Sequence, residues 1–150
     1  MVQVGLLEDN PRIARVCVTM LHYAGHQVTV YEHPRDCLAA LMLQPYHAVN
    51  GMQPYWGLDL LPIDVLIMDL HLPDIDGIEV LRSLCAHPLT QALPLIFCTA
   101  APYSEIASAM MIAPHAGFVE KPFTFLQLTT AIKSALGGEP HKMPGAAPAF

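Results

Sequence analysis

A few residues whose types suit phosphoryl chemistry stand at the ends of apolar runs. Glu8 and Asp9 follow residues 2–7 (VQVGLL). Asp69 sits near the end of residues 63–70 (IDVLIMDL). Thr99 follows residues 94–98 (PLIFC), and Lys121 comes just after residues 117–119 (GFV). Carboxylates brought together repel one another unless a cation lies among them. Hard oxygen donors with open positions suit Mg²⁺, which keeps several waters and often bridges to phosphate. With the charge of an incoming phosphoryl group neutralised, Asp69 can act as a nucleophile and form an acyl phosphate. Phosphoryl transfer asks mainly for positioning and charge stabilisation. Lys121 offers a positive charge, Thr99 a hydroxyl donor, and Ala100 leaves room beside it.

For these residues to meet, the runs that carry them must be strands of one sheet. Residues 2–7, 26–31, 63–70, 94–98 and 117–119 read as strands. Apolar runs without alternation mark strands covered on both faces. Helices are expected between them. Asn10-Pro11 opens the first as cap and first-turn proline. Its apolar stripe is Ile13, Val16, Cys17, Met20 and Ala24, and Gly25 ends it. The second runs from Pro34 to about residue 43. The third covers 77–86, with Ile78, Leu81, Leu84 and Cys85 inward, and His87-Pro88 ends it. The fourth covers 104–112. The last covers 124–136, with a capping box at Thr124 and Gln127 and a stripe of Phe125, Leu128, Ile132 and Leu136. Strands alternating with helices predict an α/β domain with a parallel sheet between helical layers. In such sheets ligands bind beyond the carboxyl ends of the strands, at the topological switch point. Glu8, Asp9, Asp69, Thr99 and Lys121 all fall there.

Composition fits one domain with a generous core: 150 residues, 53% of them hydrophobic and only 13% charged. No run is long enough to span a membrane. The first residues lack the basic stretch of a secretory leader, so a cytoplasmic protein is expected. A net charge of −6 argues against direct nucleic-acid binding by this domain. Cys17, Cys37, Cys85 and Cys98 form no C-x-x-C pair and read as reduced core thiols. The histidines lack metal-ligand spacing.

The acid pair Glu8-Asp9, the stretch from Asp69 to Gly77 (DLHLPDIDG), the pair Thr99-Ala100 and the triplet Lys121-Pro122-Phe123 together resemble the receiver domain of bacterial two-component response regulators. The resemblance covers residues 2–136, so the domain is taken as 1–136 and residues 137–150 as a flexible tail or linker. It implies a flavodoxin-like, doubly wound fold with the five-stranded parallel sheet in the order 2-1-3-4-5. It implies Asp69 as phosphoacceptor, charged by a phosphohistidine on a sensor histidine kinase or phosphotransfer protein. Asp9, Asp69 and the backbone carbonyl of His71 would ligate Mg²⁺ (or Mn²⁺), and Glu8 would act through a metal-bound water. Lys121 would contact the phosphoryl group, with a cis bond to Pro122. Thr99 and Phe118 would be the switch pair, Phe118 turning inward behind Thr99. The fourth helix, fifth strand and fifth helix would signal to an output domain or protein, or form a homodimer. Beyond its own phosphorylation and dephosphorylation, no enzymatic activity is expected.

Phe118 stands where the family commonly has tyrosine, so the steric swing is kept and a hydroxyl is lost. His71, two residues past Asp69, reads either as an exposed loop side chain or as a neighbour of the water that hydrolyses the acyl phosphate. Residues 44–62 form a connection longer than usual. Tyr46, Tyr55 and Trp56 there suit a partner-binding patch or packing on the domain itself. Two other functions compete: an interaction module independent of phosphorylation, and a phosphohydrolase with His71 as general acid and base.

Overall fold

Aliphatic runs pair into a parallel sheet because its inner strands can be buried on both faces; only the edge strand at residues 27–31 alternates between exposed and half-buried positions. The computed structural model describes residues 1–42, 61–72 and 74–137. β1 (Gln3–Leu7) lies between β2 (Gln27–Tyr31) and β3 (Val65–Met68). β4 (Leu95–Thr99) and β5 (Gly117–Glu120) extend the sheet beyond β3, giving the order β2-β1-β3-β4-β5 with every pair parallel. The chain leaves β1 to one side and returns to its other side, so the switch point lies between β1 and β3.

Helices α1 (Pro11–Tyr23) and α5 (Phe125–Gly137) cover one face; α2 (Pro34–Met42), α3 (Gly77–Ala86) and α4 (Tyr103–Ile112) cover the other. Alternate residues of β3 serve the two layers. Val65 and Ile67 pack with Ala14, Cys17, Leu21, Leu128 and Ile132. Leu66 and Met68 join Cys37, Leu41, Leu81, Leu84 and Ile106. All four cysteines are free, and burial pushes the Cys37 thiol up to about 12.

Local signals set the helix ends. The Asn10 side chain accepts from the Arg12 and Ile13 N–H groups at 3.0 and 3.4 Å. Gly25 takes a left-handed φ of 88°. The Gly25 N–H donates to the His22 carbonyl and the His26 N–H to the Leu21 carbonyl, both at 3.0 Å, which completes a Schellman turn. The Thr124 N–H donates to Gln127 Oε1 at 2.8 Å and the Gln127 N–H to Thr124 Oγ1 at 3.1 Å, the expected capping box.

Several expected details are corrected. On α1 the buried residues are Ala14, Cys17 and Leu21, while Val16 is exposed. On α5 they are Leu128, Ala131 and Ile132, and Phe125 and Leu136 are exposed. In both helices a small alanine faces the sheet, and the inward stripe turns toward it. On α3, Val80 is buried and Ile78 and Cys85 only partly. β3 is shorter than its apolar run: Ile63 and Leu70 are buried beside the sheet without belonging to the strand. Gly137 ends α5 rather than opening the tail. The long connection at 44–62 lies outside the described residues, apart from Leu61 and Pro62, and so do residues 138–150. Among the described residues no helix is long and apolar enough to cross a membrane.

Candidate functional site

Strand register delivers the site. Leu7 pairs with Met68, and the Asp69 N–H donates to the Leu7 carbonyl at 3.2 Å, so Asp69 begins where Glu8 and Asp9 leave β1. Thr99 pairs with Glu120, and the Lys121 N–H donates to the Thr99 carbonyl at 3.0 Å. From there the Lys121 side chain crosses the strand ends. Its Nζ donates to Asp69 Oδ2 at 2.7 Å and to Glu8 Oε1. The Lys121–Pro122 bond is cis.

Burial governs the charges. For Glu8, desolvation outweighs the hydrogen bond and attraction of Lys121, and its pKa rises. Burial alone would lower that of Lys121, but its hydrogen bonds to Asp69 and Glu8 prevail and raise it. The two directions agree with one geometry: a lysine shared between two carboxylates stays charged, while Glu8, the more deeply buried partner, is incompletely compensated. Glu8 Oε2 is buried with no hydrogen-bond partner.

Thr99 is fully buried, and its Oγ1 accepts from the Ala101 N–H at 3.1 Å, leaving the hydroxyl proton to be donated. Phe118 already lies inward, 1% exposed, in the cluster with Phe97, Ile106 and Ala109. Asp9 stands at the same edge but exposed, outside the Lys121 contacts. Glu8, Asp69 and Lys121 are thus brought together. Among the described residues no three His, Cys, Asp or Glu side chains are gathered closely enough to enclose a metal ion. The Lys121 ammonium supplies the positive charge between Glu8 and Asp69. A buried carboxylate oxygen without a partner, beside further hard oxygen donors, fits a hydrated divalent cation.

The loop after Asp69 is closely held. The His71 N–H donates to Asp69 Oδ1 at 3.1 Å. The Gly77 N–H returns to the Leu70 carbonyl at 3.2 Å, and a Cβ at 77 would lie 2.6 Å from Leu70 Cα, so only glycine permits this closure. The Asp76 side chain caps α3 through the Ile78 N–H at 3.0 Å. Two long-range pairs escaped sequence reasoning: His33 Nε2 with Asp74 Oδ2 at 2.8 Å, and His71 Nε2 with Glu105 Oε2 at 2.6 Å. No periodicity announces a pair of exposed polar residues 41 or 34 positions apart.

Comparison with known proteins agrees with this geometry. The response regulator receiver domain family matches residues 4–133. The transcriptional regulatory protein CreB of Escherichia coli is 33% identical over 135 residues, covering 89% of this chain and 50% of that protein. The transcriptional regulatory protein TrcR of Mycobacterium tuberculosis is 25% identical over 140 residues, 93% of this chain and 47% of that one. The chain spans about half the length of these curated relatives, or less of others. The chemotaxis protein CheY4 of Vibrio cholerae shares the fold with a TM-score of 0.72 at 20% identity, over 91% of this chain and 99% of that one. So does the receiver domain of the sensor histidine kinase PA1611 of Pseudomonas aeruginosa, with a TM-score of 0.70 at 22% identity over 91% of this chain and 98% of that one; it has a magnesium ion coordinated in its active-site cleft. With the family matched over residues 4–133, and Glu8, Asp69 and Lys121 assembled at the switch point of a 2-1-3-4-5 sheet, the chain belongs to the response regulator receiver domain family.

Proposed function

We propose that this receiver domain is set by phosphorylation of Asp69, and that the contact of Lys121 with both Asp69 and Glu8 carries the reading. A lysine kept charged against Asp69 Oδ2 lies where a phosphoryl group on that carboxylate needs neutralising. Thr99, at the end of the adjacent β4, has a hydroxyl proton to give to a phosphoryl oxygen. Asp9, Asp69 and the His71 carbonyl, with Glu8 through a water, would hold Mg²⁺ or Mn²⁺. When bound, the cation supplies charge neutralisation at the phosphoryl oxygens. Buried, partnerless Glu8 Oε2 supports that assignment.

The phosphoryl donor on this reading is a phosphohistidine of a sensor histidine kinase or phosphotransfer protein. The relatives named as transcriptional regulators are about twice as long. Accordingly we assign the chain the regulatory role in a two-component system, passing its state through α4, β5 and α5 to an output domain, an output protein or a second copy. We assign it no turnover beyond gain and loss of its own phosphoryl group. Incubation with acetyl phosphate and Mg²⁺ tests this. One phosphoryl group per chain is expected on wild type and none on Asp69→Asn. Equal labelling of the two, or no labelling of wild type, refutes it.

A further inference from the structure

We infer that the His71–Glu105 bridge is the link that couples the phosphoacceptor loop to α4 in this chain; the inference rests on the phosphoacceptor reading of Asp69. Two hydrogen bonds in series join the carboxylate to the helix. The His71 N–H is bonded to Asp69 Oδ1 at 3.1 Å, and His71 Nε2 meets Glu105 Oε2 at 2.6 Å. Glu105 stands in the first turn of α4. A phosphoryl group on Asp69 changes the charge and position of the oxygens that hold residue 71, so residue 71 and whatever it grips must readjust.

Residue 118 adds no hydrogen-bonded route of its own. Phe118 is already inside, packed among Phe97, Ile106 and Ala109, and has no hydroxyl with which to change partners. Close-packed cores leave no void for a ring to swing into.

The two ends of the bridge are unequally held. α4 buries only Ile106 and Ala109, and its first turn has no side-chain cap. An element with so little buried area belongs to the low-stability part of a fold, from which moving parts are drawn. On its other side the loop is tied to the β2–α2 connection by His33 and Asp74, with Asp74 in the left-handed region at a φ of 65°. Within residues 69–71 the side-chain bond that reaches a helix is the one from His71 to Glu105 of α4. The bridge is exposed, so breaking and remaking it costs the fold little. Coupling of this kind is reciprocal: whatever binds and shifts α4 must alter affinity at Asp69 through the same contact.

Amide hydrogen exchange on the full chain, with and without Mg²⁺ and beryllofluoride as a phosphoryl mimic, tests the link. In wild type the mimic is expected to change α4 exchange by ~5-fold or more. Glu105→Ala should bind the mimic within ~2-fold of wild type yet lose most of the α4 response; His71→Ala, read at saturating mimic, should lose it too, and the double variant should lose no more. Glu105→Gln, which still accepts a hydrogen bond from the imidazole, should keep part of it. Glu79→Ala, on the exposed side of α3, should keep it whole. A full α4 response in Glu105→Ala overturns the link and leaves the phosphoacceptor reading standing. Absence of any Mg²⁺-dependent response in wild type overturns both.

Discussion

Lys121 meets Glu8 and Asp69 in near-complete burial, with side-chain exposures of 13%, 3% and 11%. His71 meets Glu105 only a loop away, but in the open, at 60% and 47%. Both contacts pair a cationic or potentially cationic side chain with a carboxylate near Asp69, yet water makes them different objects. In the buried cluster Lys121 is committed, because removing it leaves two desolvated carboxylates uncompensated. In the exposed pair, solvent stands ready to replace either partner, and the net worth is small. A receiver needs both kinds: one fixes the chemistry, and the other can let go.

Lys121→Ala should break that comparison most visibly. We expect a loss of ~3 kcal/mol in urea unfolding at neutral pH, with Mg²⁺ restoring part of it by taking over the positive charge. A loss below ~1 kcal/mol would place the buried cluster in the same class as the exposed pair.

Next comes Glu8. Its pKa is raised in the fold above the ordinary 4.5, so ionising it opposes folding. The penalty is absent below pH 4.5 and complete once the pH has passed the raised value. Without Mg²⁺, Glu8→Gln should therefore be more stable than wild type at neutral pH, and thermal melts should converge on acidification. Lys121 has the opposite consequence at the other end of the scale. Its raised pKa gives stability that is complete below pH 10.5 and lost as the pH climbs through the folded value. The smallest effect belongs to the exposed pair: Glu105→Ala should change unfolding stability by less than ~1 kcal/mol, and molar salt should erase even that.

Much of the site was legible because parallel strands announce themselves twice. Their burial makes them apolar runs, and their ends gather at one edge, so Glu8, Asp69, Thr99 and Lys121 could be placed together before any coordinates. Helix ends were equally readable, since Asn10-Pro11, Gly25 and the Thr124–Gln127 box act within a few residues of chain. The rotation of α1 and α5 was not. Apolar residues surround both helices, and which of them faces the sheet depends on how closely Ala14 and Ala131 let the backbone approach. The packing of Phe118 against Phe97 is likewise set by tertiary contact that no local pattern encodes. The contact of Lys121 with both Glu8 and Asp69 was not legible, because it depends on how the lysine side chain crosses the strand ends. Glu105 was overlooked altogether, because a surface carboxylate in a first helical turn has an ordinary explanation in the helix dipole.

The closure of Gly77 on Leu70 has a consequence for how such a domain diversifies. The segment between them enters and leaves at one point, pinned by a single hydrogen bond and by a glycine whose missing side chain lets two stretches of backbone touch. It is a cassette. Its exposed residue His71 can be exchanged while Asp69 stays on its perch at the end of β3 and Asp76 keeps the start of α3 capped. One lineage can thereby keep the same chemical event and rewire what hears it by editing exposed positions such as His71, while Leu72 and Ile75 stay packed against the core.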